Sequence, residues 1–228
     1  MNDCLDRFKL NEEQKQKFKQ YYQFLISENE KINLTSIVEE DEVYGKHFYD
    51  SLSMIGLLSD LKNKRICDIG SGAGFPSIPL KILEPTLKVT IIEPTAKRVR
   101  FLKQLCDILK LTEVTIINDR AENAVKNYRE SFDVVVARAV ANLSIILELS
   151  IPFIKIGGSF VAYKGQYYED ELELAQRCLT ILEVELKATH QYELPADMGS
   201  RVLLEFSKSK PTNMKYPRKY ADIKNKTL

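Results

Sequence analysis

Asp68-Ile69-Gly70-Ser71-Gly72-Ala73-Gly74-Phe75-Pro76 is the stretch whose residue types and spacing most constrain the chemistry of this chain. The run Arg65-Ile66-Cys67 before it reads as a strand, and Pro76 opens a helical pattern behind it. A strand that feeds a glycine-rich turn and then a helix leaves its backbone open to a ligand. Glycine there permits positive φ and removes the Cβ atoms that would hold a ligand off. A second apolar run, Val89-Thr90-Ile91-Ile92, ends in Glu93, about twenty residues on, where a carboxylate accepts hydrogen bonds from a ribose diol. Asp68, Gly70, Gly72, Gly74 and Glu93 are therefore the expected walls of a site for a nucleoside-containing cofactor.

Spacing narrows the choice of nucleoside. Dinucleotide sites use G-x-G-x-x-G, with the third glycine letting the helix pack on the strand. Here the glycines fall at 70, 72 and 74, and Phe75 takes the place of that third glycine. An Asp two residues before the first glycine is a mark of S-adenosylmethionine enzymes. That cofactor has no pyrophosphate to cradle and needs room for an amino-acid tail and a sulfonium. The pattern favours methyl transfer over hydride transfer, with a dinucleotide enzyme kept as the weaker alternative.

The elements that must position these residues follow from periodicity. Strands are expected over 65–69, 88–92, 114–117, 132–137 and 159–163, the last entered through a turn at Gly157-Gly158. Helices alternate with them: a short one from Pro76, a long one over 95–110 with Thr95 as N-cap, one from about Ala121, and others over 143–154 and 169–179. Strand-like stretches over 183–189 and 202–206, with no long helix between, imply an antiparallel edge, a habit of methyltransferases that use S-adenosylmethionine. Helices over 11–31, 40–44 and 47–58 precede the sheet, the first broken by Asn33-Leu34-Thr35 and the last followed by a polar link over 60–64. The expected fold is α/β: a doubly wound, Rossmann-like sheet, mostly parallel, with an N-terminal helical extension. The boundaries are 1–60 for the extension, 61–208 for the cofactor domain and 209–228 for a basic tail.

Ligands of such sheets bind at the carboxyl ends of the strands. Glu122 there either sits in the first turn of its helix, where a carboxylate is favoured, or contacts a ligand base. Arg138 follows the buried-strand run Val134-Val135-Val136-Ala137. It forms either an ion pair with Asp68 or Glu93 or a group facing substrate. Lys164, at the end of the fifth strand, has the same two readings. Lys97, Arg98, Arg100 and Lys103 ride the helix after Glu93, as a solvated face or as phosphate contacts. His47 and His190 are the only histidines, and a lone histidine is more often a structural donor than a base.

Composition bounds the rest. The 228 residues carry a net charge of +1, which argues against a wholly cationic nucleic-acid binder. From Lys208 onward, however, seven Lys or Arg stand against one Asp, so the tail is either frayed and solvated or in contact with RNA. Cys4, Cys67, Cys106 and Cys178 are scattered, with no C-x-x-C pair and no His at ligand spacing, so no metal site is expected. Cys67 and Cys106 read as small buried hydrophobes. A polar start and the lack of a membrane-length apolar run point to a cytoplasmic protein away from membranes. It is expected to be a monomer.

Several motifs together carry a family resemblance: Asn33-Leu34-Thr35, His47-Phe48-Tyr49-Asp50-Ser51-Leu52, and the segment from Asp68 to Pro76. Glu93 with Lys97-Arg98 and Phe101-Leu102 extends it, as do Arg120-Ala121-Glu122, Ala137-Arg138-Ala139, Lys164-Gly165 and Tyr216-Pro217-Arg218-Lys219. Over nearly its whole length the chain resembles the bacterial ribosomal small-subunit methyltransferase G family, also called glucose-inhibited division protein B. The resemblance implies methylation of guanine N7 in the decoding region of 16S ribosomal RNA, with S-adenosylmethionine as cofactor and 16S rRNA or the small subunit as partner. Carried over residue by residue, it implies that Gly70, Phe75, Ala121, Glu122 and Arg138 bind cofactor, with Glu93 at the ribose. Arg138 and Lys164 are the expected catalytic pair, acting by positioning rather than proton transfer, and Lys97, Arg98, Arg201, Arg218 and Lys219 the expected RNA contacts. Ser77 departs from the family's usual glycine, and Ala221-Asp222-Ile223 from its usual Gly-Thr-Pro. A small-molecule methyltransferase and a non-catalytic RNA-binding assembly factor stay open as alternatives.

Overall fold

Short β-branched runs alternating with helices produce one sheet, and its strand order decides where a ligand binds. The computed structural model describes residues 3–56, 61–139 and 141–228. Its strands are β1 (Arg65–Ile69), β2 (Lys88–Ile92), β3 (Val114–Ile117), β4 (Phe132–Arg138), β5 (Ile154–Lys164), β6 (Val184–Glu193) and β7 (Ser200–Lys208). They lie in the spatial order β3-β2-β1-β4-β5-β7-β6. Strands β1 to β5 run parallel, and β7 inserts antiparallel between β5 and β6. The sheet is Rossmann-like and mostly parallel, with the antiparallel edge expected from the late strands. Its order reverses between β1 and β4, which opens a crevice at their carboxyl ends.

Helices cover both faces, as a parallel sheet requires. On one face α1 (Glu12–Ile32) buries Phe18, Tyr21 and Leu25 in a cluster that includes Ile66 of β1 and Phe101 of α5 (Ala96–Ile108). Asn11 caps α1 through a reciprocal pair with Gln14, and Asn33 ends it in the left-handed conformation. α4 (Ser77–Leu83) lies on the same face. On the other face α6 (Ala121–Tyr128), α7 (Leu143–Ser150), the pair α8 (Tyr168–Leu174) and α9 (Gln176–Leu182), and α10 (Tyr220–Asn225) pack with Val135, Phe160 and Phe206. Cys67 and Cys106 are buried, as read from the sequence.

Four local expectations need correction. The two helices expected over 40–44 and 47–58 are one continuous run: α2 (Glu40–Val43), a π-helical turn Tyr44–Tyr49, and α3 (Asp50–Leu52). Residues 57–60, where the expected helix end and the domain boundary fall, lie outside the described residues. Gly157-Gly158 is not the entry to β5 but sits inside it, where the register with β4 shifts. A Cβ at Gly158 would stand 2.6 Å from the Asp133 carbonyl oxygen, so the close approach of two backbones selects glycine. The helix expected over 143–154 stops at Ser150, where Pro152 turns it into a 3-10 segment. The one expected over 169–179 breaks at Ala175 into two.

Candidate active site

The turn after β1 is held open by its own backbone. The Gly70 N–H donates to the Ile92 carbonyl at 2.8 Å, tying the turn to β2. Gly70, Gly72 and Gly74 have φ of 71°, 61° and 101°. Their reasons differ. A Cβ on Gly72 would meet nothing within 4 Å, so that backbone faces open space. A Cβ on Gly74 would lie 2.8 Å from both Ile78 Cγ1 and the Tyr21 hydroxyl. Gly74 is thus glycine because α1 packs against it, and the Tyr21 O–H donates to Ala73 O at 2.5 Å beside it.

Asp68, expected at this site, is fully buried. Its Oδ2 accepts from the Ser77 N–H at 3.2 Å, while Oδ1 has no partner. Burial pushes its carboxyl up to about 7, against the opposing pull of Ser77 and the Arg138 guanidinium. The Ser71 hydroxyl is also buried without a partner. Glu93, at the end of β2, is 1% exposed. Its Oε2 accepts from Gly72 N–H at 3.1 Å and its Oε1 from Thr95 N–H at 2.9 Å. Thr95 does hold the N-cap position of α5, but its side chain makes no capping bond. Each Glu93 oxygen keeps a second lone pair for a hydroxyl donor.

Beyond Glu93 lies a cleft of about 390 Å³. Gly70, Glu93, Ala121 and Glu122 line it, as does Arg98, whose guanidinium stands 3.9 Å from Glu93. Ile69, Ile92 and Leu149 supply apolar walls. Glu122 also sits in the first turn of α6, where the positive end of the helix favours a carboxylate. An apolar slot with one buried carboxylate, a half-buried glycine backbone and unpartnered polar atoms on the same turn fits a nucleoside with a polar tail. Arg120 and Tyr220 line the same cleft. Tyr220 was not foreseen, because its tail reads as solvated from composition.

Arg138 does not pair with Asp68 or Glu93. Its NH1 donates to Asp50 Oδ2 at 2.8 Å and to the Lys46 carbonyl at 3.1 Å, and its NH2 lies 3.1 Å from His47 Nδ1. The guanidinium also stands 4.8 Å over the Phe75 ring, which stacks on His47 at 4.5 Å and on Tyr21 at 5.4 Å. The Phe75 side chain is therefore packed among these groups, outside the set lining the cleft. Arg138 only donates, so His47 Nδ1 is the acceptor and Nε2–H points to Thr35 Oγ1 at 2.9 Å. Burial, with help from Arg138, pushes the imidazole down to about 3 and keeps it neutral. Asp50 Oδ1 accepts from the Tyr192 hydroxyl at 2.6 Å. His47 is a positioning group rather than a base.

The other cations divide. Lys164 donates to Glu171 Oε2 at 2.6 Å and to Ala141 O at 3.0 Å, so it ties the loop after β4 to α8. Lys97 and Lys219 are exposed. Arg201 bonds the neighbouring Ser200 carbonyl at 2.8 Å. Arg218 differs from its expected role as an RNA contact: its side chain and N–H hold Glu148, which is fully buried, at 2.6–2.9 Å. An arginine spent on a buried carboxylate is structural first. The tail is docked rather than frayed, with Tyr216 and Ile223 in the core. Among the described residues no cluster could hold a metal ion, and no helix is long and apolar enough to cross a membrane.

Strand order, the glycine turn after β1 and the buried acid that ends β2 together define the methyltransferase variant of the Rossmann architecture. Residues 14–198 match the family described as GidB, rRNA small subunit methyltransferase G. The chain is 50% identical over 211 residues to the ribosomal RNA small subunit methyltransferase G of Staphylococcus aureus (strain Newman), covering 92% of this chain and 88% of that one. The protein of that name from Staphylococcus saprophyticus is likewise 50% identical, with coverages of 92% and 88%. This chain belongs to that family. Solved structures share the fold at lower identity. A SAM-dependent O-methyltransferase from Thermotoga maritima has a TM-score of 0.54 and 17% identity, covering 83% of this chain and 73% of that one. M. jannaschii TYW2, in complex with AdoMet, has a TM-score of 0.54 and 18% identity, with coverages of 66% and 71%.

Proposed function

We propose that this chain transfers a methyl group from S-adenosylmethionine to N7 of a guanosine in the decoding region of 16S ribosomal RNA, in the cytoplasm. The cofactor is S-adenosylmethionine. The observation that carries the reading is the cleft beyond Glu93, where a buried carboxylate and the Gly70 backbone of the glycine turn meet apolar walls. Glu93 receives the ribose hydroxyls, and Ala121 and Glu122 meet the base. Asp68 and Ser71, with their unpartnered oxygens, face the amino-acid tail. When bound, the cofactor supplies an electrophilic methyl on a sulfonium.

Guanine N7 has an available lone pair and no proton at neutral pH, so its alkylation needs no general base. The protein's task is orientation, which supplies roughly 7–11 kcal/mol in the best cases. His47, held neutral and donating to Thr35, fits a site without proton transfer. Arg138 positions the Phe75 ring and the N-terminal helices at the substrate mouth. Lys164 positions the loop after β4. N7 faces the deep, narrow major groove of an A-form helix, so the target base must lie in an irregular or opened region. Lys97, Lys219 and Arg201 are offered to the RNA backbone.

Deleting the gene and mapping N7-methylguanosine in 16S rRNA by base-specific cleavage tests this. One cleavage site should vanish and return with the wild-type gene; an unchanged pattern would refute the guanine assignment.

A further inference from the structure

The family match ends at residue 198, yet a residue far beyond it lines the cofactor cleft. Tyr220, the first residue of α10, shares that cleft with Glu93, Ala121 and Leu149. Four anchors hold it there. Thr212 N–H donates to Glu130 at 3.0 Å, and Arg129 donates to the Tyr216 carbonyl. Arg218 grips buried Glu148 on α7, and Ile223 is fully buried. The Arg120 guanidinium, at the start of α6, lies 5.5 Å from the Tyr220 ring centroid. The ring thus carries a cation over it and lines a cleft whose other walls include Ile69, Ile92, Leu149 and Glu93.

We infer that the C-terminal tail is a built part of the cofactor site, in which Tyr220 presents its ring to the purine of the nucleoside. A tyrosine ring suits a purine face because base–aromatic stacking tolerates an unsubstituted surface and loses little side-chain entropy. Arg120 and the Arg218–Glu148 pair are positioning groups for that ring. The basic character of the tail then has a structural origin at Arg218 and leaves Lys219 free for other contacts. The inference rests on the reading of the cleft as a site for S-adenosylmethionine.

The chain has no tryptophan, so Tyr220→Trp places a single indole reporter in the wall. Titrating that full-length variant with S-adenosylhomocysteine should change the indole emission saturably, at the affinity calorimetry gives for the same variant. Tyr220→Ala should bind S-adenosylhomocysteine roughly tenfold more weakly than wild type, as loss of one stacking contact implies. Tyr220→Phe should bind within about twofold of wild type, because the ring is kept. A silent indole with unchanged binding by Tyr220→Ala overturns the role of the tail while leaving the cofactor assignment standing. Failure of the wild-type chain to bind S-adenosylhomocysteine removes the cofactor assignment, and this inference with it.

Discussion

Arg138 at the end of β4 and Asp50 at the start of α3 meet at 2.8 Å, and through this pair the helical N-terminus is fastened to the sheet beside the glycine turn. Both side chains are largely buried, at 12% and 5% exposure. A buried pair of this kind costs most when half of it is removed. Asp50→Ala should therefore destabilise the fold by roughly 3–5 kcal/mol, leaving the Arg138 guanidinium and the Tyr192 hydroxyl without their acceptor. Urea unfolding of Asp50→Ala, Arg138→Ala and the double variant checks this, and coupling well below the single losses would show the two groups act independently.

His47 links stability to acid. Its folded pKa of about 3 lies below the ordinary 6.5, so the unfolded chain takes up a proton that the folded chain refuses. This contribution is complete above pH 6.5 and is lost as pH falls toward 3. Between pH 7.5 and 5 the thermal midpoint of wild type should therefore fall relative to that of His47→Gln, which lacks this contribution while keeping every other titrating group. A slope identical in the two proteins would mean that His47 does not titrate on unfolding.

Asp68 works in the opposite sense. Its folded pKa of about 7 lies above the ordinary 3.8, so the folded chain holds a proton that the unfolded chain releases in that window. Stability from this group is fully present below 3.8 and declines as pH rises through 7. Asp68→Asn should then be the more stable protein at pH 8. Ionised Asp68 is also the form suited to the cofactor's ammonium, so S-adenosylhomocysteine should bind wild type more tightly as pH rises from 6 to 8. Calorimetry on Asp68→Asn should show weaker binding with that pH dependence flattened.

Two glycines of one turn should separate stability from binding. Gly74→Ala places a methyl 2.8 Å from Tyr21 and Ile78 at a φ of 101°, and should cost roughly 2–4 kcal/mol through strain and overpacking. Gly72→Ala meets no atom and should cost only about 1–2 kcal/mol. The same methyl enters the open space beside the glycine turn, so on the proposed reading Gly72→Ala should lose cofactor affinity by more than its stability loss suggests. Paired denaturation and binding titrations decide between these assignments.

Much of the architecture was legible because parallel strands buried on both faces leave unbroken runs such as Val134-Val135-Val136. The glycine turn and Glu93 were legible for a chemical reason, since few other uses select that spacing. What sequence hid were partnerships across long separations. Arg138 reads as a charge at a strand end, and nothing local says that Asp50 and His47 come to meet it. Arg218 reads as part of a basic tail, whereas a buried glutamate on α7 sequesters it. Gly157-Gly158 reads as a turn, because a register shift inside a strand demands the same residue type. Tyr220 was missed because an aromatic in a charged tail has no periodic signal, and only docking of α10 carries it to the cleft.

The central claim is that the cleft between the ends of β1 and β2 loads a methyl donor for guanine N7. It is tested most directly by single-turnover reaction of the purified chain with methyl-labelled S-adenosylmethionine and unmethylated small subunits or their 16S rRNA, followed by nucleoside analysis. Label should appear only as N7-methylguanosine, at a rate independent of pH across the mildly acid to alkaline range when cofactor is saturating. Label on another nucleoside, or a rate that falls tenfold for each unit of acidification, would contradict the account.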